Sequence, residues 1–191
     1  ALAMIVSMGA IDDRIHAPAW IKFFVQLASA SLLVWIGPGH VYSLDNIFGL
    51  GDLNLSFMSF PFSVAAIVLL MNAVNLMDGL DGLAGGMALI ITFWLIAACL
   101  LGGELQAAGP IIILAATLIG FLFYNLRSPW RKKASVFLGD SGSLGLGLCI
   151  AYFCIDLAQA PQAVLKPISI AWILALPIID VCAQFYRRVR E

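Results

Sequence analysis

The sequence predicts an all-α fold, a polytopic transmembrane helical bundle, and three observations carry that expectation. Of 191 residues, 62% are hydrophobic and only 11% are charged. Mean hydropathy is +1.01, far outside the balance of a domain solvated by water. Apolar runs of spanning length recur along the whole chain, and in hydrocarbon a run of that kind satisfies its backbone groups as a helix.

Taken in order, the apolar pattern predicts a partial helix over residues 1–11. Full spans follow near 20–36, 60–76, 84–101, 108–124, 142–158 and 168–185, giving six crossings and one stump. No internal repeat or second domain interrupts them, so residues 1–191 read as a single integral membrane domain. The chain opens on Ala1 within an apolar run and closes on Glu191 just past a basic cluster, and the expectation is a fragment truncated at both ends. Gly49 and Gly51 separate strand-like pieces around 41–47 and 53–57, which suggests a small outer hairpin.

Alternation of sides assigns residues 12–19, 77–83, 125–141 and 186–191 to one face of the membrane. Arg14, Lys22, Arg127, Arg131, Lys132, Lys133, Arg187, Arg188 and Arg190 fall on or beside that face, and Lys166 falls on the other. The positive-inside rule makes the first face cytoplasmic. A net charge of −1 gives no footing for nucleic acid. The four cysteines, Cys99, Cys149, Cys154 and Cys182, sit in apolar stretches without metal-type spacing and read as small buried hydrophobes.

The same alternation gathers the acids. Asp12 and Asp13 in IDDR, Asp78 and Asp81 in NAVNLMDGLDGLAGG, Asp140 in FLGDSGS and Asp180 in LPIID all belong to the cytoplasmic side. Carboxylates at the edge of hydrocarbon repel one another unless a cation or proton compensates. Mg²⁺, or Mn²⁺ in its place, suits this chemistry, because it takes one or two carboxylates and completes its shell with water and phosphate oxygens. With only His16 and His40 in the chain, zinc is disfavoured.

Each part also has a structural reading. Asn72, Asn75, Asp78 and Asp81 recur every third residue, along a helix face or through an Asp-Gly turn between spans. Asp140 opens an apolar helix and suits an N-cap, a place that also attracts phosphate. Lys22 and Gln26 share a helix face, where Lys22 either snorkels to the interface or reaches a phosphate. Asp180 is placed to pair with Arg187, and the cluster from Arg127 to Lys133 suits anionic lipid.

Together, IDDR (11–14), NAVNLMDGLDGLAGG (72–86), YNLRSP (124–129), VFLGDSGSLGLG (136–147) and LPIID with YRR (176–188) resemble the polyprenyl-phosphate N-acetylhexosamine-1-phosphate transferases, a branch of glycosyltransferase family 4. The resemblance implies that undecaprenyl phosphate attacks the β-phosphate of a UDP-N-acetylhexosamine, releasing UMP, with Mg²⁺ stabilising charge on the diphosphate. By that analogy Asp78 and Asp140 stand near the metal, and Asp12 and Asp13 position or deprotonate the lipid phosphate. Asn75 and Asp81 line the nucleotide-sugar site, Asn125, Phe137 and Gly139 lie near the uridine, and Lys22 lies near phosphate.

The resemblance further implies a multi-pass protein of the bacterial inner membrane with a cytoplasmic active site, and it admits a homodimer. LPIID with YRR looks like the branch using UDP-GlcNAc in cell-surface polysaccharide synthesis. The alternative within the family is the phospho-MurNAc-pentapeptide transferase of peptidoglycan synthesis. The family's histidine-rich loop beyond the basic cluster is not reached before Glu191. From another class, a divalent-cation transporter would string carboxylates across the bilayer, and Asp156 stands toward the outer end of its span. A non-catalytic membrane remnant is the third reading.

Overall fold

Asp12 and Asp13, Asp78, and Asp140 come together at one end of the bundle. A computed structural model of the chain describes residues 1–15, 17–37, 39–47, 49, 51–127, 133–159 and 163–190. Among them the helices are α1 (Leu2–Ile15), α2 (Ala19–Ile36), α3 (Ser59–Met77), α4 (Leu83–Gly102), α5 (Leu105–Asn125), α6 (Gly139–Gln159), α7 (Pro167–Ile173) and α8 (Ala175–Arg190). Helices α2 to α6 are each long and apolar enough to cross a membrane. The polytopic all-helical class is therefore the one the composition predicts.

Helix α6 is the centre of the bundle, with more than half of its span buried, and α1 and α3 pack along it. Small residues let the backbones approach closely, the usual basis of helix association in lipid. A Cβ added at Gly147 would lie 2.6 Å from the Met71 Cα on α3, and one added at Gly9 would overlap the backbone of Ser141. Ile67 and Met71 of α3, Leu144 and Ile150 of α6 and Ile5 of α1 are fully buried in one shared core. Helices α4 and α5 pair as a hairpin, α2 lies against α3 and α1, and α8 lies against α3.

Two predicted elements are corrected. The final span is not one straight helix but α7 and α8, bent by 66°. Pro177 lacks the N–H that the Ile173 carbonyl would accept, and its ring clashes with that carbonyl, so the helix breaks at Leu174. The outer hairpin reduces to one antiparallel bridge between Ser43 and Asn54, with no strand among the described residues. Its flanking bonds are Leu44 N to Leu53 O at 3.0 Å and Leu55 N to Tyr42 O at 2.9 Å. The side chain of Gln159 holds this loop from the end of α6, accepting from the N–H of Tyr42 at 2.9 Å and donating to the Ser43 carbonyl at 2.9 Å.

Of the cysteines, Cys99 and Cys154 are buried and Cys149 is partly so. Cys182 is exposed on α8, against the expectation for all four. His16, Arg131, Lys132 and part of YNLRSP lie outside the described residues.

Candidate active site

The site is built from the ends of α1, α2, α3 and α6. Asp12 lies in the last turn of α1 and is buried. One of its oxygens accepts the Ala17 N–H at 2.7 Å, where the chain turns toward α2, and the other accepts from the Lys22 ammonium at 2.8 Å. Lys22 donates as well to Asp140 Oδ2 at 3.0 Å, so one cation joins carboxylates from α1 and α6. The ammonium, acting against the effect of burial, holds the Asp12 carboxyl below the usual carboxylate range.

Asp140 is fixed from three sides. Asn75, on α3, donates from Nδ2 to Asp140 Oδ1 at 2.9 Å and to Ser143 Oγ at 2.8 Å, and Ser143 in turn donates to the Gly139 carbonyl at 2.8 Å. The Asp140 backbone N–H donates to Asp13 Oδ1 at 3.2 Å. Helix α6 begins at Gly139, so Asp140 is not its own helix cap; Asp13, from α1, supplies that acceptor instead. Gly139 has φ of +66°, and a Cβ there would meet Asp13 Oδ2 at 2.9 Å, so both the backbone conformation and the closeness of the carboxylate call for glycine.

Asp78 caps the C-terminal end of α3 just past the span. The nearby Gly139 N–H favours its ionised form. Burial, aided by the neighbouring charges of Asp140 and Asp13, nevertheless pushes its pKa up to about 6. Asp12, Asp13, Asp78 and Asp140 thus share one neighbourhood, and the Lys22 ammonium contacts two of them, Asp12 and Asp140.

The remaining candidates lie around this group. Asp81 accepts from Arg127 Nε at 2.8 Å across the site's rim. Asn125 is buried at the end of α5, accepting the Gly82 N–H at 2.6 Å and donating to the Val136 carbonyl at 2.8 Å. It ties the turn after Asp78 to the segment leading into Asp140. Phe137 presents an exposed ring beside that segment. Asp180, by contrast, is bonded to Gln184 at 2.7 Å along α8 and makes no ion pair with Arg187. The six acids expected to meet therefore resolve into four that share a site, one on its rim and one on α8.

Sequence reasoning missed Ser143 and the Arg127–Asp81 pair. Ser143 carried a signal, since it follows Asp140 by three residues and so shares its helix face.

No three acidic, histidine or cysteine groups among the described residues are arranged to hold a metal ion by themselves. A Mg²⁺ ion does not need them: it uses one or two carboxylates and takes its other oxygens from water and phosphate. Asp78 and Asp140 fit that donor set, both hard oxygen ligands within a neighbourhood richer in negative than positive charge.

The chain is 29% identical over 189 residues to the undecaprenyl-phosphate alpha-N-acetylglucosaminyl 1-phosphate transferase of Escherichia coli, covering 98% of this chain and 51% of that protein. The protein of the same name from Yersinia pestis gives the same identity and coverage. A Bacillus subtilis protein named as a probable undecaprenyl-phosphate N-acetylglucosaminyl 1-phosphate transferase is 32% identical over 187 residues, covering 97% of this chain and 50% of its own length. The chain thus spans about half the length of the curated relatives it matches. The family model described as glycosyl transferase family 4 matches residues 1–158. That match runs from the helix ending in Asp12 and Asp13 through the helix opening on Asp140, and on it the chain belongs to glycosyl transferase family 4.

Proposed function

We propose that the protein containing this chain transfers N-acetylglucosamine 1-phosphate from UDP-GlcNAc to undecaprenyl phosphate, with Mg²⁺ as cofactor. The observation that supports it most strongly is the meeting of Asp12, Asp13, Asp78 and Asp140 with Lys22 at a single end of the bundle. Carboxylates strung across the membrane, as a cation pathway needs, are not the pattern of this cluster.

In the reaction, an oxygen of the lipid phosphate forms a bond to the β-phosphorus of the nucleotide sugar. The bond from that phosphorus to the bridging oxygen breaks, and UMP leaves with the electron pair. Asp78 and Asp140 would hold Mg²⁺, which would supply charge stabilisation to the reacting diphosphate, and Asn75 fixes Asp140 in orientation through the 2.9 Å bond.

Lys22 is the positive group that receives the lipid phosphate, exchanging a carboxylate partner for a phosphate oxygen. A phosphate monoester is already anionic at neutral pH, so Asp12, itself held in the ionised form by Lys22, acts by positioning more than by removing a proton. Asp13 shares the positioning role of Asp12, and Asn75, Asp81, Asn125, Phe137 and Gly139 shape the nucleotide side of the pocket. The basic residues clustered at this end of the sequence support a cytoplasmic orientation for the site, and the proposed setting is a bacterial inner membrane.

The relatives carry the GlcNAc name, which favours this sugar over UDP-MurNAc-pentapeptide. The test offers the full-length protein each donor separately, with polyprenyl phosphate and Mg²⁺, and measures UMP. UMP from UDP-GlcNAc alone supports the reading. UMP from the pentapeptide donor alone, or metal flux in proteoliposomes without UMP, overturns it.

A further inference from the structure

Polar contacts between α2 and α3 continue one turn deeper than the carboxylate group. Asn72 Nδ2 donates to Gln26 Oε1 at 2.7 Å, and Gln26 Nε2 donates back to Asn72 Oδ1 at 3.4 Å. Asn72 also donates to the Val68 carbonyl at 2.8 Å. Gln26 is buried. Neither residue touches the carboxylates described above, and the proposed chemistry gives neither a contact with substrate.

Their register is what matters. Gln26 follows Lys22 by four residues and Asn72 precedes Asn75 by three, so each pair shares a helix face. Lys22 and Asn75 reach Asp140 at 3.0 and 2.9 Å, and one turn below them Gln26 meets Asn72. A slide of α2 along α3 by one turn, about 5.4 Å, would strand two amides in apolar surroundings. The ammonium of Lys22 sits on a flexible four-carbon stem, so its place between two carboxylates depends on where α2 is anchored.

We propose that the Gln26–Asn72 amide pair is a positioning element that sets the depth of α2 against α3 and so keeps the Lys22 ammonium between Asp12 and Asp140. The pair bears on catalysis only through the functional reading above, in which Lys22 receives the lipid phosphate. A pair that merely glued the helices would affect stability without selecting one substrate or one lysine.

The experiment uses full-length protein in lipid nanodiscs and four forms: wild type, Gln26→Met, Asn72→Leu, and the exchange Gln26→Asn with Asn72→Gln. The exchange keeps two amides and their combined length. Two quantities are read: the rate at which an amine-acylating reagent modifies Lys22, followed by mass spectrometry, and the KM for each substrate.

In both single variants Lys22 is acylated about threefold to tenfold faster, the range expected for one polar helix–helix contact in a membrane. The KM for polyprenyl phosphate rises by a similar factor while that for the UDP-sugar holds, and the exchange returns both readings toward wild type. Unchanged acylation in the single variants, or an exchange no better than they are, overturns the proposal. Should Asn72→Leu fail to fold, Asn72→Ser carries the same test, since its side chain is too short to reach Gln26. A wild type that shows the acylation pattern against the variants yet transfers no sugar phosphate overturns the functional reading and leaves the positioning role standing.

Discussion

Asp13 accepts the backbone N–H of Asp140 at 3.2 Å, so a carboxylate at the end of α1 closes the start of α6, 127 residues further along the chain. The same α1 turn supplies Asp12 to Lys22, which itself reaches Asp140. Two neighbouring acids of one motif therefore reach Asp140 by separate routes, one through its backbone and one through its side chain.

Replacing Asp13 removes that acceptor. Asp13→Ala is expected to destabilise the start of α6 by about 1 kcal/mol, the usual cost of losing an N-terminal cap, with Asp13→Asn retaining most of it. Hydrogen exchange at the Asp140 and Ser141 amides reads the effect directly. Equal protection in wild type and Asp13→Ala contradicts it.

Lys22→Met leaves Asp12 and Asp140 without their shared cation. The Asp12 carboxyl is depressed in the folded protein, so its contribution to stability is present above the unfolded value of 3.8 and is lost as pH falls through the folded value. The thermal midpoint of Lys22→Met should fall below wild type at pH 7, and the gap should narrow as pH drops below about 4. A gap that is independent of pH argues against the ion pair as its source.

Asp78 behaves in the opposite sense. Its pKa of about 6 lies above the unfolded value of 3.8, so the ionised form is disfavoured in the fold. That penalty is complete above about 6 and absent below 3.8, and through this group the fold gains stability as pH falls across the window. Metal binding needs the ionised form, so Mn²⁺ affinity, measured by electron paramagnetic resonance, should weaken about fivefold between pH 6 and pH 5 from this group alone. In Asp78→Asn that dependence should largely disappear. Affinity that is flat from pH 7 to 5 in wild type contradicts Asp78 as a ligand.

Asn125→Leu leaves the Gly82 N–H and the Val136 carbonyl without their partner. Burial of such groups unpaired costs about 1–3 kcal/mol, so the thermal midpoint falls and exchange at the Gly82 amide accelerates. If both stay at wild-type values, Asn125 is not the strut between the two loops.

What the sequence made legible was chiefly topology. Spans can be counted from apolar runs, and alternation then sends Asp12, Asp13, Asp78 and Asp140 to one end whatever the details of packing. The bend at Leu174 escaped because hydropathy runs unbroken through residues 168–185, although Pro177 marks where a carbonyl must lose its partner. Alternation fixes the membrane side but not lateral position, so it could not tell that Asp180, within the predicted final span, bonds to Gln184 and stays apart from the other acids, or that Asp81 takes Arg127. Long-range pairings such as Gln26 with Asn72 depend on helix rotation and depth, which periodicity within one helix does not reveal.

If the four helix ends form one metal-dependent phosphate-transfer site, turnover by Asp140→Asn in the full-length protein must collapse. With radiolabelled UDP-GlcNAc, undecaprenyl phosphate and Mg²⁺, wild type should form labelled lipid. The asparagine variant, equally folded, should lose about a hundredfold or more of that rate, the scale of removing a group that stabilises developing charge. Turnover by Asp140→Asn at the wild-type rate would mean that Asp140 takes no part in phosphate transfer.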